Sequence, residues 1–277
     1  MRKKAYSFFF HFFCILFSVT ALYPILWLVA SSFKESQKVF VDSSNLFPFP
    51  LHLENYSRGW QGIGGISFST FYGNSFIVVL LSVLGVLFSC PLIAYGFSRV
   101  QFHFKRFWFV TVMITMMLPG QIVMIPQYII YHKLNWTNTF LPLILPTWCG
   151  SAFFIFLIMQ FIRSIPYELD EAAMIDGCNQ FTIYARIILP LVKPALITAA
   201  IFQFYWSWDD FMGPLIYLGK PELFTVSVAL RQFSDPTQTD WGAMFSMSAL
   251  SLIPPILVFF IFQRYIVEGI STSGLKD

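Results

Sequence analysis

Six stretches of this chain are each long and apolar enough to cross a bilayer, and that feature fixes most of what it can fold into. A helix rises 1.5 Å per residue, so about 20 mostly apolar residues span a hydrocarbon core about 30 Å thick. The stretches are roughly 8–30, 74–95, 107–128, 140–162, 195–218 and 243–265. Hydrocarbon leaves backbone amides no water to bond, so a spanning segment must be a helix or part of a closed barrel. Runs this long predict helices. The expected fold is an all-α polytopic membrane protein with one six-helix transmembrane domain over 1–277.

Composition agrees. Hydrophobic residues make up 57% of the 277 and charged residues only 11%, where a water-wetted domain carries about 25%. A net charge of +3 with no basic stripe gives no footprint for nucleic acid. The four cysteines, Cys14, Cys90, Cys149 and Cys178, form no C-x-x-C pair and are expected to be small buried hydrophobes. The sequons at Asn55 and Asn135 are chance-level patterns.

Two runs are interrupted, at Pro119-Gly120 and Pro126 and at Gly213-Pro214. Broken helices survive in a bilayer where protein or a watery cavity covers the freed backbone, so the third and fifth spans are expected to face the inside of a bundle. Arg2, Lys3 and Lys4 with Val19-Thr20-Ala21 could mark a removed signal peptide. The apolar run continues to Ala30, too long for one, and an uncleaved first helix is the better reading. Lys and Arg collect in cytoplasmic loops. Eleven of the 17 fall at the two ends and in the loops after spans two and four, which predicts both termini inside. External labelling should then reach a cysteine near Gln238 in the Asp235-Pro236 loop and spare one near Gln101.

The chain has no G-x-x-x-x-G-K-[ST], no H-E-x-x-H and no G-x-S-x-G, so it carries no nucleotide site, zincin site or hydrolase elbow that sequence can reveal. His11, His52, His103 and His132 have no partner at metal-ligand spacing. Neither a catalytic residue nor a metal ligand is expected. Any uphill transport must draw on another subunit or an ion gradient. Asp209 and Asp210 are the ionisable residues well inside a span, beside Trp206 and Trp208. Intramembrane carboxylates are costly and usually functional. The pair could equally lie at a watery interface with its tryptophans as interfacial aromatics.

The inner loop 163–194 carries the most information. Pro166 suits a first helical turn, and Glu168, Asp170 and Glu171 complement the helix dipole. Gly177 can take the left-handed conformation that ends such a helix, and Asn179 can cap the next. Pro190 and Pro194 delimit that second helix. Leu169, Ala172, Ala173 and Asp176 fall on one face, where the two alanines would let another surface approach. An interfacial helix on the headgroups is the bland alternative, and the acidic start argues against it.

Glu171-Ala172-Ala173, then Gly177 and Ile187-x-Leu189-Pro190, resembles the EAA motif of binding-protein-dependent ABC importer permeases. Trp208-Asp209-Asp210-Phe211 with Pro214-Leu215 looks like the fifth-helix signature of the carbohydrate branch, as does Leu118-Pro119 with Ile125-Pro126. The tail from Gln263-Arg264 to Gly269 and Gly274-Leu275-Lys276 is similar to maltose-type second permeases. The resemblance covers nearly the whole chain. It implies a six-helix permease of a bacterial or archaeal cell membrane that importers of sugars, oligosaccharides among them, use as half of their pore. A second homologous permease, two cytosolic ATPase subunits holding ATP-Mg and an external solute-binding protein would complete the assembly; the chain itself would bind no cofactor. Its contacts would be with sugar, membrane lipid and those subunits. Glu171, Ala172, Ala173, Gly177, Ile187, Leu189 and Pro190 would then couple to the ATPase, through a cytoplasmic coupling helix. Trp206, Trp208, Asp209 and Asp210 are candidates for the substrate path. The competing readings are an ABC permease for another solute, such as a polyamine or amino acid, and an ion-coupled secondary transporter. A membrane enzyme lacks its catalytic constellation.

Overall fold

Apolar runs become helices here, and the breaks fall where a residue cannot continue the hydrogen-bond ladder or a side chain caps it. A computed structural model describes residues 2–234 and 239–274. Asp235, Pro236 and Gln238, and Leu275 and Lys276 of the tail pattern, lie outside the described residues. Among those described there is no strand, only an isolated bridge between Ile63 and Ile66. Four helices are long and apolar enough to cross a membrane, or up to six if each of two bent pairs counts as one span. Contacts divide the chain into two units, 1–70 with 229–254 and 71–228 with 255–277.

In the first unit α1 (Arg2–Ser32) and α2 (Glu54–Gln61) both pack on the helix at Trp241–Ser251. The apolar stretch Phe9–Ser32 of α1 buries none of its hydropathic window within the protein. An all-round apolar helix of that kind needs lipid or another subunit around it. Asn55 ties the unit together. It is fully buried, and its amide donates to Ser32 O (2.8 Å) and Lys34 O (2.7 Å), satisfying carbonyls at the end of α1. Gly242 lies so close that a Cβ there would meet Asn55 Oδ1 at 2.5 Å, a close approach only a small residue permits.

The second unit takes most of α3 (Phe68–Arg99), then α4 (Lys105–Met117), α5 (Gly120–Lys133), α6 (Leu141–Trp148) and α7 (Ala152–Ser164). After them come α8 (Glu168–Ile175), α9 (Gln180–Ile183), a π-helical turn at Tyr184–Ile188, α10 (Leu189–Leu191), α11 (Lys193–Asp209) and α12 (Met212–Tyr217). α13 (Val226–Gln232) leads back to the first unit's helix, α14 (Trp241–Ser251), and α15 (Ile253–Gly274) follows. The core is built from α3, α7 and α11 with the loop between the last two: Val86, Cys90, Ala94, Phe154, Ile158, Ile162, Ile183, Ile188, Ala195 and Ala199.

The breaks differ from the expected ones in instructive ways. α4 and α5 bend by 103° at Leu118-Pro119, as the proline predicts. Neither helix has a residue buried within this chain, so the expectation that the third run faces inward is not met inside this chain alone. The fourth run counts as one span, 141–164, yet its hydrogen-bond ladder is interrupted at Gly150, whose φ of +96° only glycine accepts readily. The fifth ends at Asp209, ahead of the expected break; Pro214 falls in the opening of α12, where its missing N–H costs nothing. Of the cysteines expected to be buried, Cys90 is, Cys178 is half-buried, and Cys14 and Cys149 are exposed. A helix face turned to hydrocarbon needs no protein cover for an apolar side chain.

Candidate functional site

The loop between α7 and α11 builds a short helix, a tight turn and a second helix. Glu168, Asp170 and Glu171 occupy the first turn of α8, where the N-terminal dipole favours anions. α8 begins at Glu168, so Pro166 stands just ahead of the first turn instead of within it. Gly177 closes α8 at φ +83°. Its N–H donates to Met174 O (3.0 Å) and that of Cys178 to Ala173 O (2.9 Å), the paired bonds of a Schellman motif. Asn179 then caps α9: its Oδ1 accepts from the Thr182 N–H (2.8 Å) and the Thr182 hydroxyl (3.0 Å). A proline in a helix clashes with the carbonyl four residues earlier, and the turn before Pro190 is widened to a π turn, with the Leu189 N–H reaching back to Tyr184 O.

The two sides of α8 do different things. Glu171, Ala172, Met174, Ile175 and Asp176 are exposed, Ile175 at 87%. Asp170 and Ala173 are buried. Ala173, expected to share an outward face with Ala172, instead packs into the chain's own core. Ile187 and Leu189 are half-buried against that same core, and Pro190 is exposed. The motif therefore divides into residues that hold the loop down and residues left facing outward.

Sequence reasoning missed a buried ion pair that ties α8 to α3. Arg99, at the end of α3, places its Nε 2.9 Å from Asp170 Oδ2, with side-chain exposures of 8% and 2%. The contact is ionic and off the hydrogen-bonding direction. The Arg99 Nη2 donates to Ile162 O (3.2 Å) and Ile165 O (2.6 Å) at the end of α7. Its guanidinium carbon lies 5.3 Å from the centre of the Tyr167 ring. Burial pushes the Asp170 carboxyl above its ordinary value, and Arg99 beside it works the other way. In the sequence Arg99 counts only as a cytoplasmic charge and Asp170 as a dipole partner; 71 positions separate them and no local signal pairs them.

The four substrate-path candidates divide likewise. Trp208 is buried, stacked 5.8 Å from Phe204 and edge-on to Phe76 at 5.1 Å. Asp210 accepts from the Gly213 N–H at 3.1 Å, and its backbone carbonyl accepts from the Ser227 hydroxyl at 2.6 Å; both acts are structural. Trp206 and Asp209 are exposed. They line a shallow depression with Tyr205, Phe211, Met212 and the half-buried Asp210, the Trp206 ring resting on Phe153 and Phe154. Among the described residues no group of His, Cys, Asp and Glu could hold a metal.

Residues 91–272 match the family described as binding-protein-dependent transport system inner membrane component. The chain is 38% identical to the probable ABC transporter permease protein YurM of Bacillus subtilis, over 95% of this chain and 87% of that one. It is 32% identical to the arabinooligosaccharides transport system permease protein AraQ of Halalkalibacterium halodurans, over 92% and 91%. Among solved structures, a chain of a bacterial ABC transporter involved in the import of the acidic polysaccharide alginate superposes with a TM-score of 0.81. It is 23% identical, and the match covers 95% of this chain and 96% of that one. That likeness concerns the fold.

Proposed function

The chain belongs to the family of binding-protein-dependent transport system inner membrane components, and from that premise we propose that it is one half of the pore of an ATP-driven importer of sugars, oligosaccharides in particular. The substrate class follows from relatives such as AraQ. In this reading six spans cross the cell membrane with both termini cytoplasmic. A second permease completes the pore, two ATPase subunits supply the force, and an external binding protein delivers the sugar. The chain contributes passage and coupling, and no chemistry of its own.

The observation that carries the coupling assignment is the two-sided build of α8. Exposed Ile175, Met174 and Ala172 beside the acidic Glu171 form an apolar patch with a charged edge on a loop rich in polar residues. An exposed patch of that composition calls for a protein partner. In an ATP-driven importer, a subunit whose sequence has no nucleotide-binding motif receives its force through such a contact. Closure of the ATPase pair would push α8, and the permease would respond as a rigid-body switch between inward- and outward-facing states. Trp206 and Asp209 supply the elements a sugar needs, an aromatic face and a hydrogen-bond acceptor, and are the substrate contacts we assign to this subunit.

The test compares Gly177→Val and Glu171→Lys with the unaltered protein for membrane level, ATPase co-purification and uptake of an arabino-oligosaccharide mixture. We expect normal insertion with weakened co-purification or hydrolysis without uptake. Normal co-purification and uptake in both variants would remove the coupling assignment. ATP-independent uptake would favour the ion-coupled reading instead.

A further inference from the structure

The loop is joined to α7 and α11 by the chain itself, but to α3 only by side chains, and those side chains are unusually specific. Tyr95 and Arg99 lie four residues apart on α3, hence on one face. They grip the loop on both sides of the Gly177 turn. The Tyr95 hydroxyl donates to Gln180 Oε1 (2.7 Å), with Gln180 O at 3.2 Å, and its ring packs 5.3 Å from that of Tyr184. Arg99 takes α8 through Asp170 and Tyr167, and takes the end of α7 through the carbonyls of Ile162 and Ile165. We propose that this face of α3 is a second lever of the coupling loop: Tyr95 and Arg99 act as positioning residues that keep α8 and α9 in fixed register with α3, so that a push on α8 moves α3 as well as α7 and α11.

The chemistry of the contact favours that role over plain packing. Apolar surfaces attract without direction and can slide past each other. A buried ion pair resists separation, because each partner would be left as an uncompensated charge in an apolar setting. Arg99 also presents several donors in a rigid planar fork: its Nη2 is fixed on the two carbonyls at the end of α7, which holds the guanidinium charge in place beside the Asp170 carboxylate of α8. α3 is suited to carry a displacement onward. It runs 32 residues from Phe68 to Arg99, and its apolar window is 44% buried, the largest share among the four long helices.

The inference rests on the coupling role assigned above, and its test separates the two. Arg99→Lys keeps the charge but loses the fork; a double variant, Arg99→Leu with Asp170→Leu, removes both charges and keeps the space filled. In the purified complex, hydrogen exchange is followed over residues 166–179 and over the core segment 153–158. In proteoliposomes holding the whole assembly, uptake of arabino-oligosaccharides is measured per ATP hydrolysed. We expect exchange in 166–179 to rise at least tenfold with 153–158 unchanged, and uptake per ATP to fall several-fold at normal membrane level. A merely structural pair would loosen both segments together. Wild-type exchange in 166–179, or wild-type uptake per ATP despite a loosened loop, overturns the lever. If the double variant does not accumulate, Arg99→Lys decides alone. Absence of any ATPase from the unaltered complex would sink the coupling role itself, while the exchange comparison would still judge the joint.

Discussion

The α7–α11 loop and the α11–α12 junction each hold an acidic residue in largely apolar company, yet they use it in opposite ways. In the loop the buried acid is Asp170, paired with Arg99, and the residues free to meet a partner are Ala172, Met174 and Ile175 with the acidic Glu171 and Asp176 beside them. At the junction the half-buried acid is Asp210, which serves the backbone at Gly213, and the residues left exposed are Trp206 and Asp209. In each region one polar group is sacrificed to hold a short helix in place, and the neighbours one or two positions away face outward. A carboxylate in a membrane protein is therefore not read as functional from its location alone. Its partners decide.

That contrast can be broken most forcefully at Asp170. Asp170→Leu by itself strands Arg99 without a counter-charge, and removing one member of a buried pair costs about 3–5 kcal/mol; a collapse in membrane level and thermal stability is expected. Gly177→Val comes next. A β-branched residue forced to φ +83° is strained by about 1–2 kcal/mol, and no atom lies within 4 Å of the added Cβ, so the strain is in the backbone conformation and not in a clash at Cβ. Gly177→Asn should recover most of it, as asparagine tolerates the left-handed region. Asp210→Ala removes the acceptor for the Gly213 N–H and should cost about 1 kcal/mol, in the range of a lost helix cap. It should be seen as a modest drop in melting temperature. Asp209→Asn, at an exposed site, should change stability by less than about 0.5 kcal/mol while raising the half-saturating sugar concentration. If Asp209→Asn and Trp206→Ala both leave uptake kinetics untouched, the junction has no substrate role and the contrast reduces to two structural acids.

Much of the loop was legible because its signals are local. A left-handed turn needs glycine, a cap needs a short polar side chain, and a dipole favours acids in the first turn. Gly177, Asn179 and Glu168 could each be placed from neighbours within four positions. The facing of Ala173 could not, because on a helix of eight residues a rotation of one position moves a side chain from outer surface to core. The break at Gly150 was passed over because a single glycine in an apolar run does not announce whether its φ is negative or positive. The early end of α11 was misplaced because Gly213-Pro214 is conspicuous, whereas the backbone turns extended at Asp210, whose carboxylate accepts from the Gly213 N–H of the next helix, and no local pattern marks that switch.

What the sequence determined by itself is the medium and the periodic elements. Long apolar runs can satisfy their amides in hydrocarbon only as helices, whatever their neighbours, and turn residues act within a few positions of themselves. Only the tertiary structure decided which side of each helix is spoken for. Arg99 meets Asp170 where α3 and α8 share one core, Ala94 and Phe97 from α3 and Ala173 from α8 with Ile158, Ile162 and Ile183, and no local preference of either residue encodes that meeting. Trp208 is buried and Trp206 exposed for the same reason. Residues two apart on a helix differ by about 200° in direction, and what lies in each direction is set by packing across distances the chain alone does not specify.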